Sequence, residues 1–230
     1  MDLRASDNDY AIFIKNLVVF TQRKKLVEIG VAYGGTFCQL CEAAKCTGGF
    51  VHGFDLWDRH GLSNQWSQMS SKEEVEQRVK SLGYENFELI KINSKDASFK
   101  QTLAQKCPSI DFAFIDGCHS YEGIKNDFVA VREFLTDDAI VVFHDTEFID
   151  GVREFMHDLR TKYNDGTFDL MDLPYGHQSR LLGLAIMHYR KYPRPNPITE
   201  ICGSASSPDE IYRKELEYYT SRLKTVDYNI

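Results

Sequence analysis

The chain has 230 residues, 43% of them hydrophobic, and a formal net charge of −7. That length and composition suit a single sizeable globular core, and the acidic balance argues against a nucleic-acid partner, whose footprint would be basic. No apolar run reaches membrane-spanning length and the polar N-terminus shows no signal-peptide pattern, so the expectation is no membrane partner and a cytoplasmic location.

Residues 9–20 place apolar side chains at helical spacing and predict an N-terminal helix. Residues 26–29 predict a first strand and 37–44 a first helix. A second strand is expected over 49–56, a helix over 71–82 with Lys72, Glu73, Glu74 and Glu76 toward solvent, and a third strand over 87–92. A short helix over 99–106 precedes residues 110–115, which are almost wholly apolar, as a parallel strand covered on both faces should be. Helices over 121–135 and 151–163 flank a fifth strand over 139–143. Residues 167–173 and 182–189 predict two last strands, and the short connection between them favours antiparallel pairing. Three prolines in 192–197 break regular structure. Ser207, Pro208 and Glu210 then have the character of a capped helix start, followed by a helix over 211–223. Its Ile211, Leu216, Tyr219 and Leu223 can form one apolar face, for docking on the domain or in a homo-oligomer.

Strands alternating with helices imply an α/β fold: a doubly wound, Rossmann-like, mostly parallel seven-stranded sheet with an antiparallel last strand. The expected division is a domain over 1–190 and an extension with one helix over 191–230. Ligands of such sheets bind beyond the carboxyl ends of the strands. Those ends carry Glu28, Asp55, Asn93, Ser94, Asp116, His144 and Asp145.

The turn after the first strand holds glycines at 30, 34 and 35. That spacing misses the three-glycine dinucleotide fingerprint. Glu28 also brings negative charge to a place where a pyrophosphate would not tolerate it; a cationic or hydroxyl-bearing ligand suits it better. Six cysteines occur, and Cys38 with Cys41 has the spacing of half a zinc site. No matching second pair follows, so reduced thiols packed on the first helix are expected.

Glu28-Ile29-Gly30 with Gly34-Gly35-Thr36, then Asp55, then the run from Asp116 to Gly123, then Phe143-His144-Asp145-Thr146 together resemble class I S-adenosylmethionine-dependent methyltransferases. Within them the chain is most similar to the subgroup of small-molecule and sugar O-methyltransferases and cephalosporin-hydroxylase-like proteins. The run from Asp116 to Gly123 is the most specific part. The resemblance implies S-adenosyl-L-methionine as cofactor and a set of cofactor contacts. The backbone around Gly30 and Gly34, beside Thr36, would meet the methionine part, with Glu28 near its ammonium. Asp55 would take the ribose hydroxyls, Ser94 would lie near the adenine, and Asp116 would border the same site. Residues 93–96 depart from the family's Gly-Asp-Ser pattern.

The resemblance also implies a reaction: methyl transfer to a hydroxyl of a sugar or other small polar acceptor, assisted by a divalent cation, magnesium or manganese. Asp116, His144 and Asp145 are the candidate metal ligands. His119 stands where metal-dependent relatives carry the general base. Trp57, His60 and Trp66, in a segment following the ribose acid, and Tyr175 and His177, between the last strands, are candidate walls of the acceptor pocket. Plainer roles compete with these: a salt-bridging or capping Glu28, an Asp55 paired with Arg59, a helix-capping His119, an N-capping Asp145, and a loop after Asp55 simply anchored by its tryptophans. Two alternative functions compete as well: a nicotinamide-dependent oxidoreductase, and a non-catalytic module that keeps the fold alone.

Overall fold

The computed structural model describes residues 9–57, 70–174, 176–177, 180–191, 213 and 217. The chain divides into two units, Met1–Lys191 and Tyr192–Ile230. The first holds a seven-stranded sheet of order β3-β2-β1-β4-β5-β9-β6. Its strands are β1 (Lys25–Ile29), β2 (Phe50–Asp55), β3 (Phe87–Lys91), β4 (Ile110–Ile115), β5 (Leu135–His144), β6 (Phe168–Leu173) and β9 (Leu184–Tyr189). The chain reverses between β6 and β9 through two two-residue strands, β7 (Gly176–His177) and β8 (Arg180–Leu181), which pair with each other. Strands β1 to β5 pair in parallel, and β9 runs antiparallel to both β5 and β6. This is the predicted doubly wound sheet with its last strand reversed.

Among the described residues the sheet is accompanied by the helices α1 (Asp9–Phe20), α2 (Gly35–Thr47), α3 (Lys72–Ser81), α4 (Ser98–Lys106), α5 (Tyr121–Arg132) and α6 (Asp150–Thr161). Two of them, α3 and α5, begin at a serine cap. Ser71 accepts from the Glu74 amide while Glu74 bonds back to the Ser71 amide, a reciprocal cap that starts α3. Ser120 accepts from the Gly123 amide and starts α5. The helix expected over 121–135 stops at Arg132, and Leu135 already belongs to β5. Ile110 draws that boundary: it pairs with Leu135, and a register irregularity then resets β5 so that Phe112 faces Ile140. Pairing with a neighbouring strand overrides local helical spacing here.

Side-chain alternation along the strands splits the core into two layers. Val27, Ile29, Ala113, Ile115, Val141 and Phe143 face α4, α5 and α6. Leu26, Phe112, Phe114, Ile140 and Val142 face α1, α2 and α3. Phe112, Phe114 and Phe143 are fully buried, each contributing about 2–3 kcal/mol over an exposed position. Cys38 and Cys41 pack in the second layer as free thiols, and burial pushes both upward, Cys38 to about 11. Among the described residues no helix is long and apolar enough to cross a membrane. The predicted helix over 211–223 lies outside the described residues except for Arg213 and Glu217.

Candidate active site

The polar strand ends converge at the carboxyl edge of β1, β2, β4 and β5. Glu28 sits in register with Gly53 on one side and Phe114 on the other. Its side chain follows Leu26 onto the face covered by α1 and α2, where it is 1% exposed and Oε2 has no hydrogen-bond partner. Burial, then the neighbouring Asp116 and Asp55, raise its carboxyl well above the ordinary range.

The turn beyond β1 is pinned from both flanks. The Gly30 amide donates to the Phe54 carbonyl at 2.9 Å, and the Asp116 amide donates to the Ile29 carbonyl at 2.8 Å. Gly30 adopts φ +90°, and a Cβ there would lie 2.1 Å from the Asp116 carbonyl oxygen. Only glycine admits this approach of β1 to β4. At Gly34 the chain enters α2 with no side-chain cap. The first-turn amides of α2 therefore have no capping side chain, an arrangement that suits an anionic group. Thr36, buried in that first turn, donates to the Tyr10 hydroxyl at 3.4 Å.

Asp55 ends β2 and holds the turn from the side. Its two carboxylate oxygens accept the Ala32 amide at 2.8 Å and the Trp57 amide at 2.7 Å. The Trp57 indole donates to the Ala32 carbonyl at 3.3 Å, and the residue is 8% exposed. Trp57 thus braces the turn after β1 through its indole. Arg78 of α3 also donates to this turn, at the Tyr33 carbonyl. Ser94, expected at the adenine, lies beside the buried Asp127 of α5, whose carboxyl is raised by burial against the opposing pull of Ser94 and the Cys118 backbone.

Across the cleft, β4 and β5 bring together four side chains. His144 Nδ1 lies 3.2 Å from Asp116 Oδ1 and 3.3 Å from Asp145 Oδ1. His119 Nε2 lies 3.3 Å from Asp116 Oδ1 and 3.3 Å from Asp145 Oδ2. Neighbours on an extended strand point to opposite faces. Asp145 escapes that rule because its backbone is left-handed, φ 58°, which lets it share the cleft with His144. Such a conformation in a non-glycine residue costs about 1–3 kcal/mol and concentrates at functional sites.

The charges of this cluster hold one another. Burial pushes the Asp116 carboxyl up, but His144 and His119 outweigh it and bring it down to about 2. Burial pushes the His144 imidazole down, but Asp116 and Asp145 raise it to about 10. The hydrogen bond to Asp116 raises His119, against burial.

Asp116, His144 and Asp145 offer ligand atoms that all lie within 4.8 Å of one another, the only such metal-ligating group among the described residues. Adjacent ligands held about 2.1 Å from one ion stand about 3.0–3.4 Å apart. The His144 distances fall in that range, so the predicted triad fits a cation. One imidazole with two carboxylates admits manganese or another transition ion as well as magnesium. His119 is 43% exposed at the rim of the triad, where an incoming molecule can reach it.

His60, Trp66 and Tyr175 lie outside the described residues, and His177 is placed only as part of the β7–β8 pair. Tyr10 was not among the expected site residues. It caps the cluster with its ring centroid 4.4 Å from that of His144. In the sequence it shares helical spacing with Ile14 and Val18, which are ordinary core positions. No spacing rule separates it from them.

A sheet of this order, with an uncapped helix after β1 and acids at the ends of β1, β2 and β4, defines an S-adenosylmethionine-dependent methyltransferase of the class I type. Residues 27–146, just over half of the chain, match the family described as a methyltransferase domain, and the chain belongs to that family. This excludes the nicotinamide-dependent alternative. No curated protein matches the sequence. Several solved structures share the fold. The O-methyltransferase TomG from Streptomyces achromogenes, involved in tomaymycin synthesis and solved with S-adenosylmethionine, is 16% identical over 79% of each chain, with a TM-score of 0.62. An O-methyltransferase from Bacillus cereus, solved with S-adenosylhomocysteine, is 14% identical over 80% of this chain and 82% of its own, with a TM-score of 0.63. Cofactor-bound Rv0187 from MTB is 15% identical over 82% and 83%, also at 0.63. At such identities the likeness is one of fold.

Proposed function

We propose that this methyltransferase acts on a hydroxyl of a sugar or other small polar acceptor and holds a divalent cation at Asp116, His144 and Asp145. The observation that carries this reading is the sharing of two carboxylates by two histidines at the strand ends next to the cofactor turn. The bound cofactor supplies an electrophilic methyl on a sulfonium. A bound divalent ion supplies positive charge that lowers the pKa of a coordinated hydroxyl and offsets the two carboxylates.

The chain's own residues do the rest. The first-turn amides of α2 receive the methionine carboxylate, and the buried Glu28 favours its ammonium. Asp55 fixes the turn through Ala32 and has lone pairs remaining for ribose hydroxyls. His119 donates through Nε2–H to Asp116 and Asp145, which leaves Nδ1 of the neutral ring to accept the acceptor's proton, and the two carboxylates stabilise the imidazolium that results. Asp116 and Asp145 hold the base in place by the same contacts.

The test is transfer of a labelled methyl from S-adenosylmethionine across a panel of sugars, phenols and hydroxy acids, before and after thorough chelation. Transfer to oxygen that is lost on chelation and regained with Mn2+ is expected. Full activity after chelation would remove the metal, and exclusive transfer to nitrogen or sulfur would remove the hydroxyl acceptor.

A further inference from the structure

We infer that Tyr10 is a positioning residue for His144, reaching from the first turn of α1 to couple the cofactor turn to the chemical cluster. The inference rests on the metal-assisted reading only in its second readout.

Tyr10 is 9% exposed and touches three separate elements. Its ring lies over His144 of β5, centroids 4.4 Å apart and planes inclined by 36°. The same ring sits 6.2 Å from Phe114 of β4, which itself stands edge-on to His144 at 6.1 Å. Its hydroxyl accepts from Thr36 in the first turn of α2. His144 therefore has aromatic rings on two sides, and both fix the plane of its imidazole. The far nitrogen, Nε2, is buried without a partner, so no hydrogen bond on that side holds the ring. Besides its own contacts to Asp116 and Asp145, what keeps Nδ1 aimed at them is packing, and the Tyr10 ring is the nearer of the two aromatic neighbours. Ligand imidazoles are commonly oriented by a hydrogen bond from their second nitrogen. Here the Tyr10 ring takes that orienting role. Because α1 carries Tyr10, the docking of α1 on α2 also sets the cluster geometry.

The test compares Tyr10→Phe, Tyr10→Leu and Val18→Ala. Val18 is fully buried in the same helix and has no part in the site, so Val18→Ala loosens α1 without touching His144. The first readout is the His144 imidazole signal in the 15N-histidine NMR spectrum of the metal-free protein. The second is Mn2+ affinity, followed by the free-ion EPR signal. Tyr10→Leu is expected to shift or broaden the His144 signal and to weaken Mn2+ binding at least tenfold, the scale of lost support around a metal ligand. Tyr10→Phe, which keeps the ring, is expected to restore both to near wild type and to weaken only S-adenosylhomocysteine binding, by a few fold. Val18→Ala is expected to lower the unfolding midpoint and leave both readouts in place. An unmoved His144 signal in Tyr10→Leu, or an equal shift in Val18→Ala, would overturn the inference. A wild-type protein that takes up no Mn2+ would instead overturn the metal assignment, and the NMR comparison would still decide the role of Tyr10.

Discussion

His144 Nδ1 and Asp116 Oδ1 are 3.2 Å apart although 28 residues separate them in the chain. Register is the cause. Ile115 pairs with Phe143 across parallel β4 and β5, so the next residue on each strand must emerge side by side on the face that α1 covers. The contact joins a carboxyl held down to about 2 with an imidazole raised to about 10.

Removing the shared carboxylate should separate chemistry from cofactor binding. Asp116→Asn is expected to lower methyl transfer by about a hundredfold or more and to abolish Mn2+ uptake, since it removes the negative charge of the carboxylate both histidines face. S-adenosylhomocysteine affinity should change only a few fold. Calorimetry with the cofactor product and with Mn2+ checks the two sides independently.

His119→Gln should lose the base and keep the ion. A positioned general base contributes about 10²–10⁴-fold. The expected result is a kcat reduced on that scale with Mn2+ affinity close to wild type, because the triad of Asp116, His144 and Asp145 is intact. Unchanged kcat would leave His119 as a turn residue.

Glu28 makes stability depend on pH in a direction opposite to most carboxylates. Its folded-state pKa is raised above the ordinary 4.5, so the native protein binds its proton more tightly than the unfolded chain. The stability this contributes is complete below pH 4.5 and is lost as pH rises through the folded-state value. Glu28→Gln keeps the shape without the titration. Its unfolding midpoint should match wild type near pH 4.5 and exceed it increasingly above, while S-adenosylmethionine binding weakens. Thermal unfolding at intervals from pH 4.5 to 8 checks the sign.

Two glycines with positive φ should respond very differently to a methyl group. Gly48 ends α2 in open space, and Gly48→Ala should cost about 1 kcal/mol. At Gly30 the new Cβ would collide with the Asp116 backbone, so β1 and β4 would have to part. Gly30→Ala is expected to lose several times as much stability as Gly48→Ala, and cofactor binding with it. Denaturant unfolding of the two variants gives the comparison.

Much of this was legible before any coordinates. The bounds of β4 and α1 are those predicted, α1 because its apolar residues recur at helical spacing and β4 because it is a short, almost wholly apolar run suited to a buried parallel strand. The triad of Asp116, His144 and Asp145 was named from its place at two adjacent strand ends, and it does assemble. The end of α5 was misjudged because β-pairing at Leu135 competes with helical spacing. Trp57 stands in the sequence as either an acceptor wall or a loop anchor, and the structure shows its indole bonded to Ala32 in the turn after β1. An aromatic residue after a strand carries no mark of which partner it will find.

The sequence by itself determined the alternation of strands and helices, the glycine turn and the order of polar residues along the carboxyl edge, because these depend on neighbours a few positions apart. Only the tertiary structure decided how those residues meet. The left-handed backbone at Asp145 turns its carboxylate into the cleft beside His144. The packing of α1 brings Tyr10 over the same ring. Both depend on strand register and helix docking between segments far apart in the chain, and no local spacing encodes them.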